Sequence, residues 1–311
     1  MVKCAVCSKE FETDRQLHGH LKAHNLRMAS YYQEYFPKKD LYTGDIIKFK
    51  SKEYYFNTDF NTRINMQKWL KSKPVEEAKK YCEKVLKGRV EKKQLVHTPT
   101  QVELRTIMSP PIQFYQIILN DYYKSCSNLG LKNRFNKIPE ENIFNINIDK
   151  KTKICVDTRE QSPLKLDHPI KLAGLKFGDY TLENPEDCCK CYIERKSIRD
   201  FVGTLSGGFE RFRNEIKRAQ DAGAYLIVLT ERKINECMAF NRLPYVSKKV
   251  KVTPEYVFRN VRDLMQEFVD LQFLFVDGRE ESSRVMKKIL FDSNCSARDY
   301  DLQLAYDLKI L

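Results

Sequence analysis

Nowhere in the 311 residues do about eighteen apolar residues run together, so no membrane-spanning helix is expected and no membrane partner. The opening Met1-Val2-Lys3-Cys4 lacks the apolar core of a signal peptide, which points to an intracellular protein. Internal repeats and low-complexity tracts are also missing, so repeat arrays are excluded. Without a secretory context, the ten cysteines are expected as reduced thiols or metal ligands and not as a disulfide frame. Apolar residues reach 42%, which excludes wholesale disorder.

Positive charge is in excess. Lys and Arg number 55 against 42 Asp and Glu, a net +13, and such a balance suggests a polyanionic partner, most often nucleic acid. The length suits about two domains and a small extra module. Residues 1–28 carry net +2, residues 29–150 net +8 (22 basic, 14 acidic) and residues 151–311 net +3. Three segments with these limits are expected.

The middle segment opens on aromatic clusters, Tyr31, Tyr32, Tyr35 and Phe36, then Tyr54, Tyr55, Phe56 and Phe60. Helices are predicted over 74–93, where Glu76 and Glu77 suit the positive end of the helix dipole and Lys92 and Lys93 the negative end, and over 112–123. Residues 133–151, Asn-rich with Pro139, read as a linker. Beyond it the pattern changes. Strands are predicted over 153–157, 191–194, 224–230 and 271–276, and helices over 209–222, 254–268 and 279–291, an alternation that indicates an α/β layer around a central sheet.

Cys4-x2-Cys7-x12-His20-x3-His24 has zinc-ligand spacing, with Phe11 and Leu17 as the small core such a module needs. A module of this size cannot fold on burial alone, so one structural Zn²⁺ must supply the folding energy. These residues resemble the Cys-Cys-His-His zinc-finger family, which implies a ββα unit. In that family three helix positions read bases. Here they are Thr13, Gln16 and Gly19, and only Gln16 has a side chain suited to a base edge, so sequence-specific reading is not expected; general DNA contact and protein contact both stay open. His18 reads as a surface residue.

A second constellation lies in the last segment: Asp157-Thr158-Arg159-Glu160, Gly178-Asp179-Tyr180, Glu194-Arg195-Lys196 and Asp200. Hydrolysis of a phosphodiester with a hard divalent ion needs converging carboxylates, and a nearby lysine to orient the attacking water or stabilise developing charge. Period-two alternation puts Glu194 and Lys196 on one strand face and Arg195 on the other. The order GD, then ERK, then Asp three residues on, preceded by VDTRE, resembles the XPF-type structure-specific endonuclease domain over about residues 152–290. The resemblance implies a restriction-endonuclease-like fold, a central mixed sheet flanked by helices, behind a mainly helical middle region. It implies Mg²⁺ or Mn²⁺ at Asp179 and Glu194, catalytic assistance from Lys196, Asp157 as a further carboxylate, and Arg159, Glu160, Arg195 and Asp200 as supporting or DNA-contacting groups. The implied partner is DNA, with a homodimer or partner protein through the nuclease domain. Such relatives usually carry a C-terminal tandem helix-hairpin-helix module. This sequence ends at Leu311 without one, so the finger and the middle segment are expected to hold the DNA. The order finger–middle–nuclease is also similar to uncharacterised bacteriophage nucleases; the compartment would then be the bacterial cytoplasm, or the nucleus for a eukaryotic source.

Weaker signals remain. Arg211, Lys217 and Arg218 follow the turn Ser206-Gly207-Gly208 and could approach phosphates. Cys188 and Cys191 have ligand spacing, but a second metal would need two more ligands, with Cys155, Cys237 and His168 as candidates by type only; incidental thiols are the simpler reading. An inactive DNA-binding scaffold and a zinc-finger regulator stand as alternative functions.

Overall fold

Short polar side chains set the starts of many helices. Thr13, Ser51, Thr62, Thr100, Asp121, Ser197, Thr253 and Asp301 each accept a backbone N–H from the first turn of the helix that follows, satisfying one of the orphan donors at the N-terminus. The computed structural model describes residues 1–243 and 251–311. The chain forms two compact units, Met1–Lys84 with Met108–Pro110, and Val85–Ile107 with Pro111–Leu311.

In the first unit β1 (Val2–Lys3) and β2 (Glu10–Phe11) form a hairpin ahead of α1 (Asp14–His20), the expected ββα finger. Helices α2 (Met28–Tyr35), α3 (Lys52–Asn57), α4 (Arg63–Ser72) and the start of α5 (Val75–Lys93) follow. Leu17, Leu21 and Cys4 of the finger share one core with Tyr31, Tyr32, Ile47 and Tyr55. The first aromatic cluster is thus packing material, and the finger continues into the residues behind it.

The second unit takes in α6 (Gln101–Arg105), α7 (Ile112–Leu119) and α8 (Tyr122–Ser127) before the sheet begins. The helix predicted over 112–123 is broken at Asn120, whose φ is +66, and restarts on the Asp121 cap. Residues 133–151 form no helix or strand, but they are not a free tether: Phe144 is fully buried in the sheet's core, and the Arg134 guanidinium donates to the carbonyls of Met265, Phe268, Val269 and Leu271. The six-stranded sheet runs β4 (Ile170–Ala173), β3 (Ile154–Asp157), β5 (Tyr180–Leu182), β6 (Cys191–Lys196), β7 (Tyr225–Thr230), β8 (Leu271–Phe275). Strand β5 is antiparallel to both its neighbours, and the remaining pairs are parallel, so the sheet is mixed as expected.

Helices cover both faces of the sheet. On one, α9 (Ile198–Thr204), α10 (Phe209–Asp221) and α12 (Pro254–Glu267) bury Phe201, Phe212, Ile216 and Phe258 against Tyr192, Val228 and Phe273. The short α11 (Ile234–Cys237) adds Ile234 to that core. On the other face, α13 (Gly278–Leu290), α14 (Ser296–Asp299) and α15 (Leu302–Asp307) bury Met286, Ile289, Ala297 and Leu302 against Ile193, Ile227 and Leu274.

Cys189 and Cys295 are joined in a disulfide, which departs from the expectation of reduced thiols. The pairing is invisible in sequence because it joins two turns 106 residues apart.

Candidate active site and metal centre

The finger gathers its four expected ligands. One ligand atom from each of Cys4, Cys7, His20 and His24 lies within 4.8 Å of all the others, the sole such group of three or more among the described residues. Cys7 Sγ is 3.2 Å from His20 Nε2, and the two histidine Nε2 atoms are 3.0 Å apart. Two soft thiols and two imidazoles converging in this way suit a tetrahedral cation. The helix that presents the histidines is closed by its own reading positions: Thr13 caps it, and Gln16 Oε1 accepts from the backbone N–H of Thr13 and Glu12. The Gln16 oxygen is therefore committed locally. His18, expected to be a free surface group, instead meets Tyr32 Oη at 2.9 Å.

The second site lies where β5 begins and β6 ends. Gly178 can stand there because its φ is +57 and a Cβ would lie 2.8 Å from the Ile193 carbonyl oxygen. That close approach lets the Asp179 N–H reach the same oxygen at 2.7 Å, so the glycine sets the aspartate beside β6. Asp179 Oδ2 accepts from the Arg195 N–H at 2.7 Å. Glu194 and Lys196 share one face of β6, as alternation requires, and pair at 2.8 Å. The Lys196 ammonium is buried, 4.9 Å from the centre of the Phe212 ring. Burial, and then the negative charge of Glu194, push the Asp179 carboxyl up to about 7.

Arg195 points to the opposite face. Its guanidinium donates to both oxygens of Glu160, at 2.8 and 3.0 Å, and to Glu231 at 3.1 Å. Arg279 reaches the same Glu231 oxygen at 3.0 Å and ties it to the carbonyls of Ser162 and Pro163. This network fixes the last residues of β6 from below. Asp157 is buried and fully engaged. It accepts from the Arg159 N–H and Nε at 2.7 Å, from Arg159 Nη2 at 3.0 Å and from the Leu175 N–H at 2.6 Å. The Arg159 bonds outweigh its burial and lower its carboxyl to about 2. Asp200 is exposed and closes the first turn of α9 with Ser197, Oγ to Oδ2 at 2.6 Å.

Of the basic run on α10, Arg213 is taken up by Glu267 at 2.7 Å. Arg211, Lys217 and Arg218 are exposed. Cys188 and Cys191 are buried, and Cys188 Sγ lies against Thr181 Oγ1. His168 Nε2 contacts the Thr152 carbonyl at 2.6 Å. These residues form no metal-holding group with Cys155 or Cys237 among the described residues.

Sequence reasoning missed Glu231 and Arg279, which hold Arg195 and the turn at Ser162. Both are isolated charges with no spacing to betray them.

A mixed sheet flanked by helices thus carries two carboxylates and a lysine at neighbouring strand ends. Residues 156–289 match the ERCC4 domain, the domain of a DNA nuclease family. Among solved structures, XPF from Aeropyrum pernix is similar at 16% identity and a TM-score of 0.34, over 50% of this chain and 68% of that one. The same protein in complex with DNA is similar at 18% identity and a TM-score of 0.35, over 47% of this chain and 66% of that one. No curated protein matches the chain. No helix among the described residues is long and apolar enough to cross a membrane.

Proposed function

We propose that this chain is a metal-dependent DNA endonuclease that hydrolyses phosphodiester bonds in branched, flapped or otherwise structured DNA during repair, recombination or replication. The observation that carries the reading is the meeting of Asp179, Glu194 and Lys196 at the ends of β5 and β6. Asp179 and Glu194 fit a hard divalent ion such as Mg²⁺ or Mn²⁺. Both are oxygen donors, one oxygen of each accepts no hydrogen bond from the described residues, and burial and then the charge of Glu194 hold the Asp179 carboxyl up. A bound ion would supply Lewis acidity toward the phosphoryl oxygen and acidify a water. Lys196 is placed to orient that water or to stabilise charge as it develops. Asp157 holds the turn through Arg159 and Leu175, Glu160 and Arg195 hold the end of β6, and Asp200 holds the start of α9. Arg211, Lys217 and Arg218 take backbone phosphates. The finger holds Zn²⁺ as a structural ion.

The alternative of an inactive scaffold is disfavoured because Asp179, Glu194 and Lys196 are all retained. A sequence-reading regulator is disfavoured by the commitment of Gln16 to its own helix cap. The test is cleavage of flap, fork, four-way and linear DNAs with Mg²⁺ or Mn²⁺. Glu194→Gln and Asp179→Asn should lose cleavage by at least ~100-fold, the scale on which removal of a charge-stabilising group acts, and should keep DNA binding. Wild-type rates in either variant would sink the assignment.

A further inference from the structure

Val102 of α6 is buried in one core with Val257 and Val261 of α12, and α6 ends at Thr106. There Arg262 of α12 meets it: Nη1 donates to Thr106 Oγ1 at 3.1 Å and lies 3.4 Å from the Thr106 carbonyl oxygen. A bland role is thus present, since the guanidinium closes the carbonyl end of a short helix. That role occupies one nitrogen of three. Nε and Nη2 hold no hydrogen bond among the described residues, and the half-buried side chain makes no ion pair with them. Arg105, Arg195 and Arg298, half-buried arginines of the same unit, each hold a carboxylate. The acids nearest Arg262 are committed or turned away. Glu103 is buried, and its two oxygens accept from the Thr100 N–H and the Gln266 side chain, both at 2.9 Å. Asp263, the next residue along, faces another side of the helix. Burial, and then the positive charge of Arg89, lower the Arg262 guanidinium to about 10.

The chemistry of the uncommitted edge gives this placement a meaning. Nε and Nη2 lie side by side and can grip two oxygens of one phosphate together. Anchoring Nη1 on α6 fixes the plane of the group in advance, so less freedom is lost when an anion docks. One turn before, Arg259 is exposed, with its guanidinium 5.0 Å from the centre of the exposed Tyr256 ring. A spacing of three sets Tyr256, Arg259 and Arg262 in a row along α12. Helix α12 covers the same sheet face as α10, and Arg213 of α10 pairs with Glu267 of α12 at 2.7 Å, so the two helices are neighbours. The exposed Arg211, Lys217 and Arg218 stand on that neighbour. We propose that the Nε–Nη2 edge of Arg262, with Arg259 beside it, is a phosphate-binding site that takes one backbone phosphate of DNA. A DNA backbone fits better than a free anion because basic side chains continue across two adjacent helices, as a chain of phosphates requires. The inference rests on DNA as the partner in the proposed function, and not on the metal or the cut.

The test uses the full chain purified without chelator, a fluorescently labelled duplex and no added divalent cation, with binding followed by anisotropy at several salt concentrations. Arg262→Gln should weaken binding by about tenfold at low salt. It should also flatten the slope of log affinity against log salt by about 0.9, the share of one phosphate. Arg262→Lys, which keeps the charge and loses the fork, should keep the slope and lose affinity. Arg259→Gln should flatten the slope with an unchanged melting temperature. A lowered melting temperature in Arg262→Gln with wild-type affinity and slope would make the residue a helix cap alone and overturn the inference. Wild-type affinity in Arg262→Lys would overturn it as well, whether or not Arg262→Gln folds. Calorimetry with inorganic phosphate separates the sources: phosphate bound by wild type and lost in Arg262→Gln, with DNA binding unchanged, would assign the site to a free anion and overturn the DNA contact. A wild-type chain that cleaves DNA while the variants bind it as wild type does would sink this inference and leave the nuclease reading standing. A wild-type chain without affinity for DNA would overturn both.

Discussion

Asp157 and Asp179 stand at neighbouring strands, bonded through their backbones at 2.8 Å, and titrate in opposite directions. Asp157 is held down to about 2 by its bonds to Arg159, so its contribution to stability is full above about pH 4 and is lost as the pH falls toward 2. Asp179 is held up to about 7 by burial and by Glu194, so the folded state keeps a proton that the unfolded chain has released. Stability from this group is therefore greatest below about pH 4 and declines as the pH rises to 7. Denaturation midpoints without added divalent cation should show a shallower decline between pH 4 and 7 in Asp179→Asn than in wild type. Asp157→Ala should lower stability at neutral pH by roughly 2–3 kcal/mol, because four donors lose their acceptor. A variant at Asp157 that folds as stably as wild type would remove its turn-holding role.

At the scale of elements, the strands with long apolar runs and the finger were legible in the sequence, because burial on both faces and ligand spacing leave strong signals. Strands β4 and β5 were not. The first is an edge with Ile170 and Leu172 exposed, and the second is three residues long, so neither carries a period to read. The carboxylate pair was legible through its motif. Its surroundings were not, since Glu231 and Arg279 come from separate elements and meet the Arg195 network only in the folded sheet. The finger also proved less separate than its spacing suggests. Cys4, Leu17 and Leu21 lie in one core with Tyr31, Tyr32, Ile47 and Tyr55, and the Ala5 N–H donates to Tyr31 Oη at 2.9 Å. If the finger holds zinc as proposed, its removal should therefore loosen protection beyond residue 28, out to about Tyr55. Hydrogen exchange with and without chelator measures this, and a change confined to residues 1–28 would contradict the shared core.

For the whole molecule, the division into units differs from the three segments drawn from charge. Residues 85–107 and 111–150 belong with the sheet: Gln101 N–H donates to buried Asp301, Val102 enters the core, and Arg134 closes the end of α12. A fragment of residues 151–311 should be far less stable than one of residues 95–311, which keeps these interactions. The first unit carries 17 basic and 11 acidic residues, net +6, against +7 for the second. Its removal should take away a share of phosphate neutralisation, not most of it. The slope of log affinity against log salt should become shallower by about 0.9 for each duplex phosphate that the shortened chain no longer neutralises. Equal slopes for the full chain and for residues 95–311 would show that the first unit touches no phosphate.

The use of Thr13 and Gln16 to close their own helix has a consequence for how such a protein would find its target. With the Gln16 oxygen committed to the cap and a glycine at the third reading position, the finger is almost mute as a reader of letters. A protein held to DNA mainly through phosphates dwells on every stretch of a genome nearly alike. Its choice of where to cut would then be made at the chemical step, by whether a strand can bend toward the carboxylates at the ends of β5 and β6. Under that logic a junction or a flap is recognised as a place where the duplex yields, and the information that selects it lies in the stiffness of the nucleic acid and not in its text.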